Sequence, residues 1–424
     1  MDSEAAASAG VALAASEEEA ASEEAVPVEN GKTMKGLLRK KMGICLVALL
    51  LSSTGTRAQN TLSDNAFASL LTCGPGQDFY TSFGHTALRI CDTAHAMDWV
   101  FNYGTFDFNT PHFYTKFSLG KLQYMLSVCG FSDFMAEYAW EGRSVSEQQL
   151  RLKPEELQGL FTALCQNHRP ENRHYAYDLL RDNCATRVRD QLDHALDGRC
   201  CFPYKPDNKT ITYRQMLHPA MNVNLEWWKF GIDLVLGMHC DRPLTPYERL
   251  FLPFALQEQT AALMADGQPL AEKSRLLLPA SMQSPKPSLR PVYVFWLLLV
   301  FFALLSLYEH KKKRYTLTGK IADATLYAAT SLLSLLIAYL WFCSSHYCSQ
   351  WNLNLLWANP LFIPFLFSGK KLRKKTAPLL WICCLASLVI YCLQWPQCFH
   401  PAVLPILLCL LLRIGNSAVR TSLH

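Results

Sequence analysis

Residues 291–308 read PVYVFWLLLVFFALLSLY, and KKKR follows after Glu309 and His310. An uncharged apolar run of that length, closed by a basic cluster, is long enough to cross a bilayer. Further apolar runs lie near 324–343, 352–368, 377–395 and 400–412. Basic residues fall only in alternate connections: Lys311–Arg314, Lys370–Lys375, and Arg413 with Arg420. The connections at 344–350 and 396–400 carry no Lys or Arg. The asymmetry puts the basic connections in the cytoplasm, so about five crossings leave everything before Pro291 outside. Trp341, Trp351, Trp381 and Trp395 stand near run ends, where interfacial anchors belong. Pro360 and Pro364 predict a kink in the third crossing.

The other end of the chain points the same way. Lys35, Arg39, Lys40 and Lys41 precede an apolar run that ends in small residues. That is the pattern of a secretory signal peptide over 34–58. Residues 2–29 are mostly Ala, Glu and Ser and cannot bury enough apolar surface to fold. Residues 1–33 are therefore expected to be a disordered acidic extension or a mis-assigned gene start, with Met34 as the true one. The divisions expected are 1–33, the signal peptide 34–58, an exported domain 59–290 and a transmembrane domain 291–424. The net charge of +5 comes mainly from membrane-flanking basic groups and predicts no nucleic-acid partner.

Within the exported part, RDNCATRVRD at 181–190 carries the chemistry. Val188, Leu192 and Leu196 recur at spacing four beyond Cys184, which is one face of a helix. Asn183 is a good N-cap, so Cys184 falls in the first helical turn. Unpaired N–H groups and the dipole there favour thiolate over thiol. By residue type alone, Cys184 can be core, half of a disulfide or a nucleophile. A nucleophilic reading needs an imidazole. His194 lies too far along the helix, whereas His85 in TSFGHTALRIC opens a strand-like alternation after a glycine. A second strand, MDWVFNYG, follows and offers Asp98 or, preferably, Asn102 as a group to orient the imidazole. Ordinary strand-end hydrogen bonding explains Asn102 equally well. Tyr177, Asn183 and Arg187 are candidate substrate contacts. A capping role for Asn183 and a solvated helix face for Arg187 are the plainer alternatives. No paired CxxC spacing suggests zinc, and neither a metal nor a dissociable cofactor is implied.

The segments GHTALRI, FNYGTFDF, YAYDLLRDNCATRVRD and GIDLVLG, in this order and followed by a membrane region, resemble the Bacteroidota-type lipoprotein N-acyltransferases (Lnb). More distantly, a His-bearing strand followed by an Asn-Cys helix start resembles the permuted NlpC-type branch of the papain-like fold, which includes the lecithin:retinol acyltransferases. The resemblance implies an α+β exported domain, with helices on a small antiparallel sheet, followed by an α-helical transmembrane bundle of about five helices. It further implies a multi-pass protein of the bacterial inner membrane with its catalytic domain on the periplasmic side. Cys184 would be the nucleophile and His85 the base. An acyl chain would pass from a phospholipid donor to the α-amine of a diacylated lipoprotein through a cysteine thioester. A membrane-anchored cysteine peptidase or amidase acting on cell-wall peptides would use the same two residues. A third reading makes Cys184 a disulfide half in a non-enzymatic interaction protein.

Overall fold

A computed structural model describes residues 61–420 apart from 200, 201, 203–207, 222–224, 282–285, 287 and 368. The expected acidic extension and signal peptide lie outside the described residues.

The exported part is built on one antiparallel sheet. Its strands are β1 (Phe67–Cys73), β2 (His85–Asp92), β3 (Met97–Thr105), β4 (Gln123–Gly130), β5 (Val145–Leu150) and β6 (His174–Ala176). A later strand, Arg275–Leu278, adds to the edge, giving the order β6-β4-β3-β2-β1-β5 and then 275–278. Successive side chains point to opposite faces, and two cores result. Leu70, Leu88, Ile90, Phe101 and Tyr103 face the helices Pro154–His168 and Cys184–Leu196. Leu71, Cys73, Ala87 and Val100 face the helix Phe131–Trp140, through Phe134 and Tyr138. Among the described residues, the α+β class with an antiparallel sheet is as the sequence led one to expect.

One irregularity in this sheet matters most. β1 and β2 stay in register to their ends, with Cys73 opposite His85. The ladder between β2 and β3 instead stops at Leu88↔Phe101. Beyond it β3 turns away through a bulge between Tyr103 and Thr105. Gly104 takes φ +96° at that bulge, a conformation that a side chain disfavours. The first three residues of β2 are therefore left without a β3 partner, and the start of the Cys184 helix fills the gap.

Among the described residues of the membrane part, three helices are long and apolar enough to cross a bilayer: Pro291–Lys312, Leu317–Phe342 and Lys370–Leu393. Two shorter apolar stretches accompany them, 354–367 and Val403–Arg420. The first is broken into Asn354–Trp357 and Phe362–Phe367 around Pro360, where the kink was expected. Arg413, Glu309 and Asp323 are buried together, with Arg413 Nη1 3.1 Å from Glu309 Oε2. This ion cluster ties three helices at the end that carries the basic connections.

The connections without Lys or Arg pack on the exported part. Gly237 N–H donates to the Cys348 carbonyl at 2.8 Å, and Met238 N–H to that of Trp351 at 3.1 Å. Asn352 and Gln397 donate to the carbonyls of Leu234 and Leu236. A Cβ on Gly237 would collide with the Gln350 carbonyl. The GIDLVLG segment thus serves as the docking strip between the two parts, with its last glycine set by backbone-to-backbone contact. Arg214 holds the strip from behind, bonding Asp233 at 2.7 Å and Asp241 at 2.8 Å.

Candidate functional site

Asn183 caps the Cys184 helix. Its Oδ1 accepts the Thr186 N–H at 3.0 Å, and Thr186 Oγ1 accepts the Asn183 N–H at 2.7 Å. This reciprocal box fixes the first turn. The Asn183 amide also donates to the carbonyls of Leu179 at 2.7 Å and Phe251 at 3.0 Å. The residue is therefore a cap and a strut together. Val188, Leu192 and Leu196 bury the helix face read from the sequence.

Cys184 is a free thiol and is buried, so the disulfide reading fails. The backbone N–H groups of Thr86, Ala185 and Cys184 itself favour its thiolate form. The Thr86 N–H is available because β3 has left β2 at that point. A Cβ on Gly104 would stand 3.7 Å from Cys184 Cβ, an ordinary contact, so the glycine answers to its backbone angle and not to a shortage of space. Burial pushes the Cys184 thiol up from its ordinary pKa, while the three N–H donors and the Arg143 charge act against that. This differs from the thiolate expected of a helix start. The dipole and donors are present, but desolvation of the charged form outweighs them.

His85 stands next to Thr86 on β2, on the face shared with Ala87. Its ring stacks near Tyr138 at 6.5 Å. Its Nε2 lies 3.3 Å from Asn102 Oδ1, and the Asn102 amide donates to Cys129 Sγ at 3.5 Å. With the amide so turned, Nε2 carries the proton and Nδ1 keeps its lone pair. Asp98, the other orienting candidate, pairs with Arg89 at 2.7 Å instead. Burial first, then the Arg143 charge, lower the His85 pKa to about 4. The imidazole is neutral at ordinary pH.

Arg143 was not singled out in the sequence. It is buried, with Nε on the Gly74 carbonyl at 2.8 Å and Nη1 on Glu141 at 2.8 Å. Its Nη2 has no hydrogen-bond partner among the described residues. Its charge acts on both His85 and Cys184. Its only local signal was a basic residue two positions before strand β5, too common a pattern to mark a site.

The remaining candidates fare differently. Tyr177 stacks on Tyr124 at 4.4 Å, and its ring approaches the Gly104 notch beside Cys184. Burial, followed by proximity to Cys184, raises its phenol well above the usual value. Arg187 is half-buried and already paired. Its fork is taken by Asp182 at 2.6 and 2.8 Å, and its plane lies 3.7 Å over Tyr175. A sequence cannot reveal that, because Asp182 reaches Arg187 only once the 178–182 loop has closed on itself. Among the described residues, no group of three or more metal-ligating side chains forms a metal site.

A family model described as the Lnb N-terminal periplasmic domain matches residues 56–218, and one described as the Lnb transmembrane domain matches 283–422. No curated protein and no solved structure matches the chain. Together the two family matches take in most of the sequence, in the order that the docked exported and membrane parts require, and the chain belongs to the Lnb family.

Proposed function

We propose that this protein is a membrane-bound lipoprotein N-acyltransferase that works through a thioester on Cys184. The observation that carries the reading is the sulfur of Cys184. Its helix start is capped by Asn183 and its thiolate form is favoured by the backbone N–H of Thr86, the residue beside His85, in a chain whose two parts match Lnb domains.

The chemistry divides into two half-reactions. Cys184 Sγ attacks the ester carbonyl of a phospholipid while His85 Nδ1 takes the thiol proton. Thiol and imidazole are both neutral at rest, so the proton moves as the attack proceeds. The N–H groups of Thr86 and Ala185, with the Arg143 charge behind them, offset the developing oxyanion. That oxyanion in turn offsets the field of Arg143, which otherwise disfavours imidazolium. The C–O bond breaks, and the leaving glycerol oxygen takes the proton from His85. A lysophospholipid departs and the acyl chain stays on sulfur. The α-amine of a diacylglyceryl cysteine then attacks the thioester and loses its proton to His85. The thiolate leaves and is reprotonated. Asn102 holds the ring in the required tautomer throughout.

Donor and acceptor are both confined to the bilayer, so tethering raises their effective concentration at Cys184. Sidedness is consistent with five crossings, in which 354–367 and Val403–Arg420 also traverse. A helix start bearing cysteine against a histidine strand is the arrangement of a permuted papain-like domain. Docking of the exported part directly on the membrane part favours lipid-bound substrates over cell-wall peptides. Mass spectrometry of lipoproteins from a strain carrying Cys184→Ala tests the proposal. Accumulation of the diacylated form is expected, and unchanged triacylation refutes it.

A further inference from the structure

Beside the Cys184 notch, a cavity of about 450 Å³ opens where the exported part meets the outer end of a membrane helix. Its walls are Gly120, Ala176, Tyr177, Asp178, Arg181 and Asp182, with Ser345 from the membrane part. That volume falls in the range of small-ligand sites. Ser345 lies three residues past the end of Leu317–Phe342. The Ser345 N–H is bonded to the Leu119 carbonyl at 2.9 Å, so the two walls are fixed to each other. A cavity at the level where a membrane helix ends lies in the headgroup layer.

The charges in it are of both signs and only loosely paired with each other. The Arg181 guanidinium lies 3.7 Å over the ring of Tyr347, on the membrane part, and its side chain is 54% exposed. Its Nε is 3.9 Å from Asp178 Oδ1, too long for a hydrogen bond. Asp178 Oδ1 instead accepts the backbone N–H groups of Leu180 and Arg181. Asp182 is neutralised by Arg187. The effective lining is one cation and one anion, fixed on a tight loop. Tyr177 connects this cavity to Cys184, since its ring and Cys184 Cβ both border Gly104.

We infer that this cavity binds the zwitterionic head of the acyl donor, with phosphate on Arg181 and a primary ammonium on Asp178. A lipid such as phosphatidylethanolamine satisfies both charges. An anionic lipid such as phosphatidylglycerol leaves Asp178 without a partner, and a trimethylated ammonium has no N–H to give it. The inference rests on the acyl-transfer reading for the identity of the donor and goes beyond it in naming the head.

Binding is measured by titration calorimetry on full-length Cys184→Ala protein in detergent, so that no turnover intervenes. The probes are dihexanoyl phosphatidylethanolamine, dihexanoyl phosphatidylglycerol and glycerophosphoethanolamine. The ethanolamine lipid should bind about tenfold tighter than the glycerol lipid, the scale of one charge-assisted hydrogen bond. Asp178→Asn keeps an oxygen for the two backbone N–H groups and should erase that preference without weakening the glycerol lipid. Arg181→Ala should weaken both lipids, and Arg181→Lys should restore most of the loss. The chain-free head should follow the same order of variants more weakly. Equal affinity for the two lipids, or no effect of Arg181→Ala, overturns the inference. Such a result alongside Cys184-dependent triacylation rejects the headgroup site alone. Unchanged triacylation in the Cys184→Ala strain rejects the acyl-transfer reading instead.

Discussion

Asn183→Asp separates two accounts of the residue before Cys184, because they predict opposite signs. If Asn183 were only an N-cap, aspartate would serve equally well, and its charge at a helix start would add about 0.3–1 kcal/mol. In the structure Asn183 is also a strut, since its amide donates to the buried carbonyls of Leu179 and Phe251. A carboxylate cannot donate, and it sets a negative oxygen against two carbonyl oxygens. Losing two donors costs about 1–3 kcal/mol, which exceeds the dipole gain. Net destabilisation is therefore expected, read as a lower unfolding temperature of the full-length protein in detergent. The pH dependence supplies an internal check. Facing two carbonyls raises the folded pKa of the new carboxyl above its unfolded value, since the protonated form can donate. Its favourable contribution is then present below about pH 4 and lost as pH rises through the folded pKa. Asn183→Ser keeps a cap oxygen, lacks the amide, and should lose stability without that pH dependence. An Asn183→Asp protein as stable as the wild type at neutral pH would refute the strut.

Other consequences can be measured on the same protein. With His85 lowered to about 4, the acid limb of the kcat/KM profile should lie near pH 4 rather than 6.5, and a limb near 6.5 would contradict the buried, neutral imidazole. The same depressed pKa makes a contribution to stability that is complete above about pH 6.5 and declines as pH falls toward 4, which thermal unfolding across that window should show. Gly104→Ala places a side chain at φ +96°, at a cost of about 1–2 kcal/mol, and should slow acyl transfer by shifting β3 against Cys184; unchanged unfolding and transfer would show the bulge to be tolerant. Arg413→Met leaves Glu309 and Asp323 buried without their cation, a loss of about 3–5 kcal/mol that should appear as reduced thermal stability of the detergent-solubilised protein.

Much of the architecture was legible because its signals are local. The apolar run at 291–308 and the alternation of basic and uncharged connections need no tertiary contact to be read, and the uncharged connections do pack on the exported part. Val188, Leu192 and Leu196 announced the Cys184 helix through their spacing, and Asn183 announced its start. Three long helices and two shorter stretches were harder to count, since the hydropathy run over 352–368 does not show where Pro360 breaks the helix.

The site was only partly legible. Sequence offered Cys184 and His85, and left Asp98 and Asn102 as alternatives; pairing across the sheet gives Asp98 to Arg89 and Asn102 to His85. Arg143 escaped notice because its charge bears on Cys184 only after β5 has joined β1. Likewise, the thiol's ionisation could not be read from its place on the helix, because desolvation depends on what the rest of the chain packs around it. By itself, then, the sequence determined the periodic and compositional features: which segments are apolar enough to cross a membrane, where the basic residues fall between them, and where the cysteine helix begins. The tertiary structure alone decided how β3 parts from β2, which N–H groups reach the sulfur, and which charges surround it. These depend on distances between residues far apart in the chain, and only the closed fold sets such distances.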